Sequence, residues 1–148
     1  MTGFVNNDGG RAAAGFKPSG GDCVARSIAI ITGRPYIEVY RELAEGGKSQ
    51  RGKKSSPRSG MLTQRKWFKD YMAGQGFEWV ATMTIGSGCK VHLTADELPK
   101  GRLVASVSKH YTAMIDGVIH DTSDPRRGGE RCVYGYWIYK KAEEERSA

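Results

Sequence analysis

The stretch Gly21–Pro35, GDCVARSIAIITGRP, decides how this chain reads. Asp22 is a helix-capping residue type, and the helix it announces begins at Cys23. Val24, Ile28 and Ile31 recur at helical spacing, with the small Ser27 between them. Gly33 and Pro35 supply the stop. Helix starts favour anions through their free N–H groups and the macrodipole, which makes them a setting in which thiols become nucleophiles. An aspartate at the cap opposes that effect. A cysteine so placed is also a small hydrophobe, so its chemistry depends on what else the chain brings to it.

Downstream, Pro35 opens a second helix, PYIEVYRELAEGG, with Tyr36, Val39, Tyr40 and Leu43 inward and Gly46 and Gly47 as its stop. A third helix is predicted over TQRKWFKDYMAGQG, with Trp67, Phe68, Tyr71 and Met72 facing the core. From Phe77 the hydrophobic period shifts toward two. FEWVATMTI, RLVASVS, the two halves of KHYTAMIDGVIHDTSD, and RCVYGYWIYKK read as strands, and TADELPKG as a helical turn. Residues 1–21 are Gly-rich and without periodicity. Helices first and strands afterwards predict an α+β domain spanning 1–148, with an antiparallel sheet.

Asp116-Gly117 is a two-residue hairpin signal. With those residues as the turn, Ile115 pairs with Val118 and Thr112 with Asp121. His110, Thr112, Met114, Ile119, Asp121 and Ser123 then share one face. Tyr111, Ala113, Ile115, Val118 and His120 take the other. Asp121 lies diagonally from His110 and within reach of its ring. Asp116 shares the face but lies about 20 Å along the strand, and Asp124 turns away if the strand continues. An imidazole is the usual base for a thiol nucleophile, so Cys23, His110 and Asp121 form a candidate cysteine-hydrolase set.

GDCVARSIAIITG followed by SKHYTAMIDGVIHDTSD resembles the papain-like cysteine peptidase superfamily, and within it the compact bacterial and phage branches such as the double-glycine leader peptidases. The match covers under a third of the chain. The resemblance implies a papain-like fold and the roles of nucleophile for Cys23, general base for His110 and orienter for Asp121. It implies a peptide or protein substrate, cleaved at an amide or isopeptide bond. The family commonly places a Gln shortly before the Cys, lining the oxyanion hole, whereas this chain has no Gln before Gln50. Asn6, Asn7, Ser19 and the Cys23 N–H are the remaining oxyanion-hole candidates. Losing one such donor typically costs about 10²–10³ in rate. A slow or inactive enzyme, and a transferase or deamidase working through the same thioester, stay open.

The 148 residues carry 23 Lys+Arg against 16 Asp+Glu, a net +7. Eight of the positive charges fall between Lys48 and Lys69, with no acidic residue before Asp70; removing those eight leaves −1 for the rest. Lys48, Arg51, Lys53, Lys54 and Arg58 lie in or beside a Gly/Ser-rich loop over 46–60, which reads as a solvated loop or as a contact for nucleic acid or an acidic protein. A non-enzymatic binding module built on that loop is the alternative to the hydrolase. Residues 141–148 form a charged tail. No apolar run approaches a spanning helix or a signal peptide, which predicts no membrane partner and a cytoplasmic protein. Small size and glycine content suggest a phage or bacterial accessory protein. Three cysteines without a CxxC argue against a disulfide framework, with Cys132 read as core and Cys89 as exposed. Cys89, His92 and Cys132 have a possible metal spacing but no second paired motif, so no metal is assigned. Without GxGxxG or a P-loop, no nucleotide cofactor is implied. His120 is expected to pack in the sheet, and Trp67, Phe68, Trp79 and Trp137 to form core or cleft walls.

Overall fold

A computed structural model describes residues 3–15, 22–49, 63, 65–83 and 88–140. Helix α1 spans Cys23–Thr32, α2 Tyr36–Ser49 and α3 Lys66–Gln75. The strands are β1 Gly3–Asn6, β2 Phe77–Ala81, β3 Arg102–Val107, β4 His110–Ile115, β5 Val118–Asp121 and β6 Val133–Tyr139. The class is α+β. The six strands form one sheet in the order β1-β5-β4-β3-β6-β2.

The sheet is mixed, and this corrects the antiparallel expectation. β1 runs parallel to β5, with Gly3 opposite Val118 and Asn6 opposite Asp121, while the other pairs are antiparallel. All four β1 residues are exposed, so this strand carries no alternating apolar pattern for a sequence reading to detect.

The hairpin register is as the turn dictates: Ile115 faces Val118, Met114 faces Ile119 and Ala113 faces His120. Asp116 and Gly117 both have positive φ, 48° and 83°, the paired left-handed conformation that a two-residue turn between twisted strands requires. Alternation along the strands makes two cores. Val104, Tyr111, Ala113, Trp137 and Tyr139 face the helices and pack with Ile28, Ile31, Val39, Leu43, Phe68 and Met72. Leu103, Ala105, Met114, Ile119 and Val133 face the other way, where Leu93 and Leu98 cover them.

α1 begins at Cys23 and ends at Gly33, as its sequence dictates. α2 differs: it passes through Gly46 and Gly47 to Ser49. A Cβ on Gly46 would lie 1.7 Å from the Trp67 ring, so that glycine admits α3 against α2 and does not stop the helix. In α3, Phe68 and Met72 are buried, while Trp67 and Tyr71 are half-buried and stack on each other. β2 stops at Ala81, shorter than the predicted strand. Among the described residues no helix is long and apolar enough to cross a membrane.

The cysteine expectation is also corrected. Cys89 and Cys132 form a disulfide, leaving Cys23 as the free thiol. The pair is 43 residues apart in sequence, and the pairing of His92 with Cys132 in an isolated bridge brings the 88–93 segment alongside the start of β6. That long-range approach leaves no spacing signal in the sequence.

Candidate functional site

Cys23 is the first residue of α1 and His110 the first of β4, while Asp121 is the last of β5. β5 ends opposite Thr112, one residue short of Tyr111. The Tyr111 N–H donates to Cys23 Sγ at 3.4 Å. That contact brings the start of α1 to the open end of the hairpin.

The His110 ring is held on two sides. Nε2 lies 2.7 Å from Asp121 Oδ2, and the Cys23 side chain adjoins the ring closely enough to raise its pKa. Burial acts to lower the basicity of His110. The hydrogen bonds to Asp121 and to Cys23, together with the charges of those partners, outweigh burial and raise its pKa to about 9. The ring is therefore an imidazolium at neutral pH.

Asp121 is 4% exposed and fully engaged. Oδ2 accepts from the Thr112 hydroxyl at 2.7 Å as well as from His110, and Oδ1 accepts the Thr122 N–H at 2.7 Å. Arg26 Nη2 stands 3.7 Å from Oδ1. Burial alone would raise the carboxyl pKa, but the donors from His110, Thr112 and Thr122 hold it below the usual aspartate value.

Behind this triad lies a second charged layer. Asp22 is completely buried, and its side chain makes no cap hydrogen bond. It sits between two guanidinium groups instead: Arg11 Nη1 is 2.5 Å from Oδ2, and Arg26 Nη1 is 3.0 Å from Oδ1. Arg26 approaches Oδ1 at ion-pair distance without hydrogen-bond alignment. The Tyr36 hydroxyl accepts from Arg11 and donates to Asp22. Burial, with the bond to Asp22, pushes the Tyr36 phenol far up. Arg26 thus bridges Asp22 to Asp121, and the cap aspartate is neutralised by paired cations.

The structure brings Cys23, His110 and Asp121 together. It does not bring the Asn7 amide to Cys23: Nδ2 lies 3.3 Å from His120 Nδ1, and Oδ1 accepts the Gly9 N–H. Asn6 is an exposed β1 residue in register with Asp121. Ser19, Arg51, Lys53, Lys54 and Arg58 lie outside the described residues, as does the Lys48 side chain. Asp116 accepts the Gly101 N–H at the far end of the hairpin. The strand ends at Asp121, so the condition under which Asp124 would turn away is not met, and Asp124 lines a cleft with His110. His120 is half-buried beside Asn7, with its pKa lowered by burial and by the nearby Arg102 charge.

Sequence reasoning missed Arg26, Arg11, Tyr36 and Thr112. Two of these had a signal. Arg26 stands four residues after Asp22, at ion-pair spacing on a helix, and Thr112 faces Asp121 by hairpin arithmetic. Arg11 and Tyr36 had none, because their meeting at Asp22 is a long-range event. Tyr111 also forms a wall of an aromatic pocket of about 400 Å³ with Phe77, Trp79 and Trp137, where the Trp137 indole N–H donates to the Tyr111 hydroxyl.

No family model, no curated protein and no solved structure matches this chain.

Proposed function

We propose that this chain is a papain-like cysteine peptidase or a related acyl-cleaving enzyme that opens an amide or isopeptide bond through Cys23, His110 and Asp121. The observation that carries this reading is the His110 ring held between the Cys23 thiol and the Asp121 carboxylate. In the proposed reaction the proton of the Cys23–His110 pair already rests on the imidazolium, and the Cys23 thiolate adds to the carbonyl carbon. The C–N bond then breaks as the imidazolium gives its proton to the departing amine, leaving a thioester. Water, deprotonated by the now neutral His110, hydrolyses the thioester and returns the thiolate–imidazolium pair; an amine in place of water makes the reaction acyl transfer. Asp121 orients the ring and stabilises its charged form. Arg26, tied to Asp22, supports Asp121 from behind. The Tyr111 N–H, already directed at the sulfur, supports the thiolate.

A thiol-directed acyl probe tests this. Labelling at neutral pH is expected at Cys23, lost in Cys23→Ala and slowed at least tenfold in His110→Ala. Labelling that persists in Cys23→Ala at another cysteine, or that ignores His110, refutes the assignment.

A further inference from the structure

Beside His110 lies an open cleft of about 450 Å³ with Cys23 outside its walls. One wall is the tight β3–β4 turn at Ser108 and Lys109, and the other is the segment from Ser123 to Arg127. Arg131 ties the two together, donating to the carbonyl oxygens of Ser108 and Pro125. Its Nε is buried without a partner. Lys109, Arg127 and Arg131 all line the cleft, and among the described residues none of the three makes an ion pair. Asp124, the single wall carboxylate among the described residues, is consumed by Arg126, whose Nε lies 2.8 Å away and whose Nη2 also pairs with it. The cleft therefore presents three cations that no ion pair engages among the described residues. Among the described residues, Lys109 and Arg127 are two of the three non-glycine residues with left-handed backbone, at φ 56° and 52°. Such conformations persist only where the surroundings enforce them.

We propose that this cleft holds a carboxylate-bearing, acidic segment on the departing side of the substrate. The proposal rests on the Cys23–His110 reading for its place in the reaction. In acyl transfer to a thiol the imidazole passes its proton to the departing amine, so walls that flank the ring away from the sulfur face the departing half. Lys109 and Arg127 draw a carboxylate by charge and N–H donors, while Arg131, whose donors hold the two walls together, contributes its charge. Among the described residues the walls contain no Phe, Tyr or Trp for base stacking, which favours a peptide over single-stranded nucleic acid.

The test uses the full chain carrying Cys23→Ala and a fluorescein-labelled peptide of five glutamates, read by anisotropy, with a peptide of five glutamines and an oligothymidylate as comparisons. The glutamate peptide is expected to bind, and the glutamine peptide to bind at least tenfold more weakly. Lys109→Asn with Arg127→Asn should weaken glutamate binding about tenfold, from the loss of two partly solvated charge contacts. Asparagine tolerates the left-handed backbone at both positions, which protects the fold. Arg127→Lys, which keeps the charge, should stay within about threefold. With Cys23 present, the glutamate peptide should slow iodoacetamide alkylation of that thiol. Unchanged affinity in the double variant, equal binding of the glutamine peptide, or an oligothymidylate that binds more tightly through the same residues overturns the proposal. Acyl-probe labelling of Cys23 without peptide protection would remove this inference and leave the hydrolase standing. Peptide binding without labelling would do the reverse.

Discussion

Replacing Asp121 with Asn isolates what the buried carboxylate does to His110. The variant keeps side-chain volume and an acceptor for the Thr112 hydroxyl, but removes the charge 2.7 Å from Nε2. In the intact protein the ring rises from 6.5 to about 9 against the opposing effect of burial, which corresponds to roughly 3 kcal/mol in favour of the imidazolium. An opposite charge at contact is typically worth 1–3 pKa units. Cys23 retains its share, so the midpoint should fall to between about 7 and 8. At pH 8 about nine-tenths of His110 is charged in the parent, and at most about half in the variant. The assay is the NMR titration of the three histidine Cε1–H resonances, assigned by single substitutions, with His92 as the reference because its carboxylate partner is Glu97 and not Asp121. The same shift has a stability consequence with a definite sign. The folded value of His110 lies above the unfolded one, so its contribution is fully present below about pH 6.5 and is lost as pH rises through about 9. Asp121 is depressed, so its contribution is present above its ordinary value of 3.8 and is lost as pH falls through its lower folded value. A His110 midpoint that stays near 9 in Asp121→Asn, or one below 6.5 in the parent, refutes the reasoning.

Two further predictions concern what holds the site. Arg11→Met leaves the fully buried Asp22 with Arg26 as its remaining cation and deprives Tyr36 of a donor. Breaking a buried pair from one side costs about 3–5 kcal/mol, and the surviving contacts put this case near about 3 kcal/mol in urea unfolding; a loss below about 1 kcal/mol would mean the pair is not formed. For the disulfide, thiol titration in denaturant without reductant should find one reactive thiol, rising to three after reduction. Closing a loop 43 residues long is worth roughly 4 kcal/mol on the chain-entropy argument, so Cys89→Ser with Cys132→Ser should lower the melting temperature. Three free thiols at the outset would contradict the pairing.

Much of the site was legible because its determinants are local. A cap-type residue, an apolar face at helical spacing and a Gly/Pro stop placed Cys23 at the start of α1. A two-residue turn fixed the register of β4 on β5, and strand parity carried His110, Thr112 and Asp121 to one face. The misses are just as specific. β1 has four exposed residues and is held by backbone pairing with β5. Gly46 looked like a stop until Trp67 was seen to occupy the space where a side chain would be. Asp22 read as a cap that would oppose an anion at Cys23, and is instead neutralised by Arg11 and Arg26.

What the sequence determined by itself is therefore a set of short-range choices: most of the helix and strand segments from Cys23 onward, where α1 begins, and which hairpin residues share a face. These follow from periodicities and turn chemistry that act over a few residues. Tertiary structure alone decided that the start of α1 meets the open end of the hairpin, that two arginines enclose Asp22, that Cys89 reaches Cys132, and that three cations converge beside His110. Each of these joins residues distant in the chain or set by loop geometry. Their energies depend on burial and on the approach of groups that no local spacing encodes.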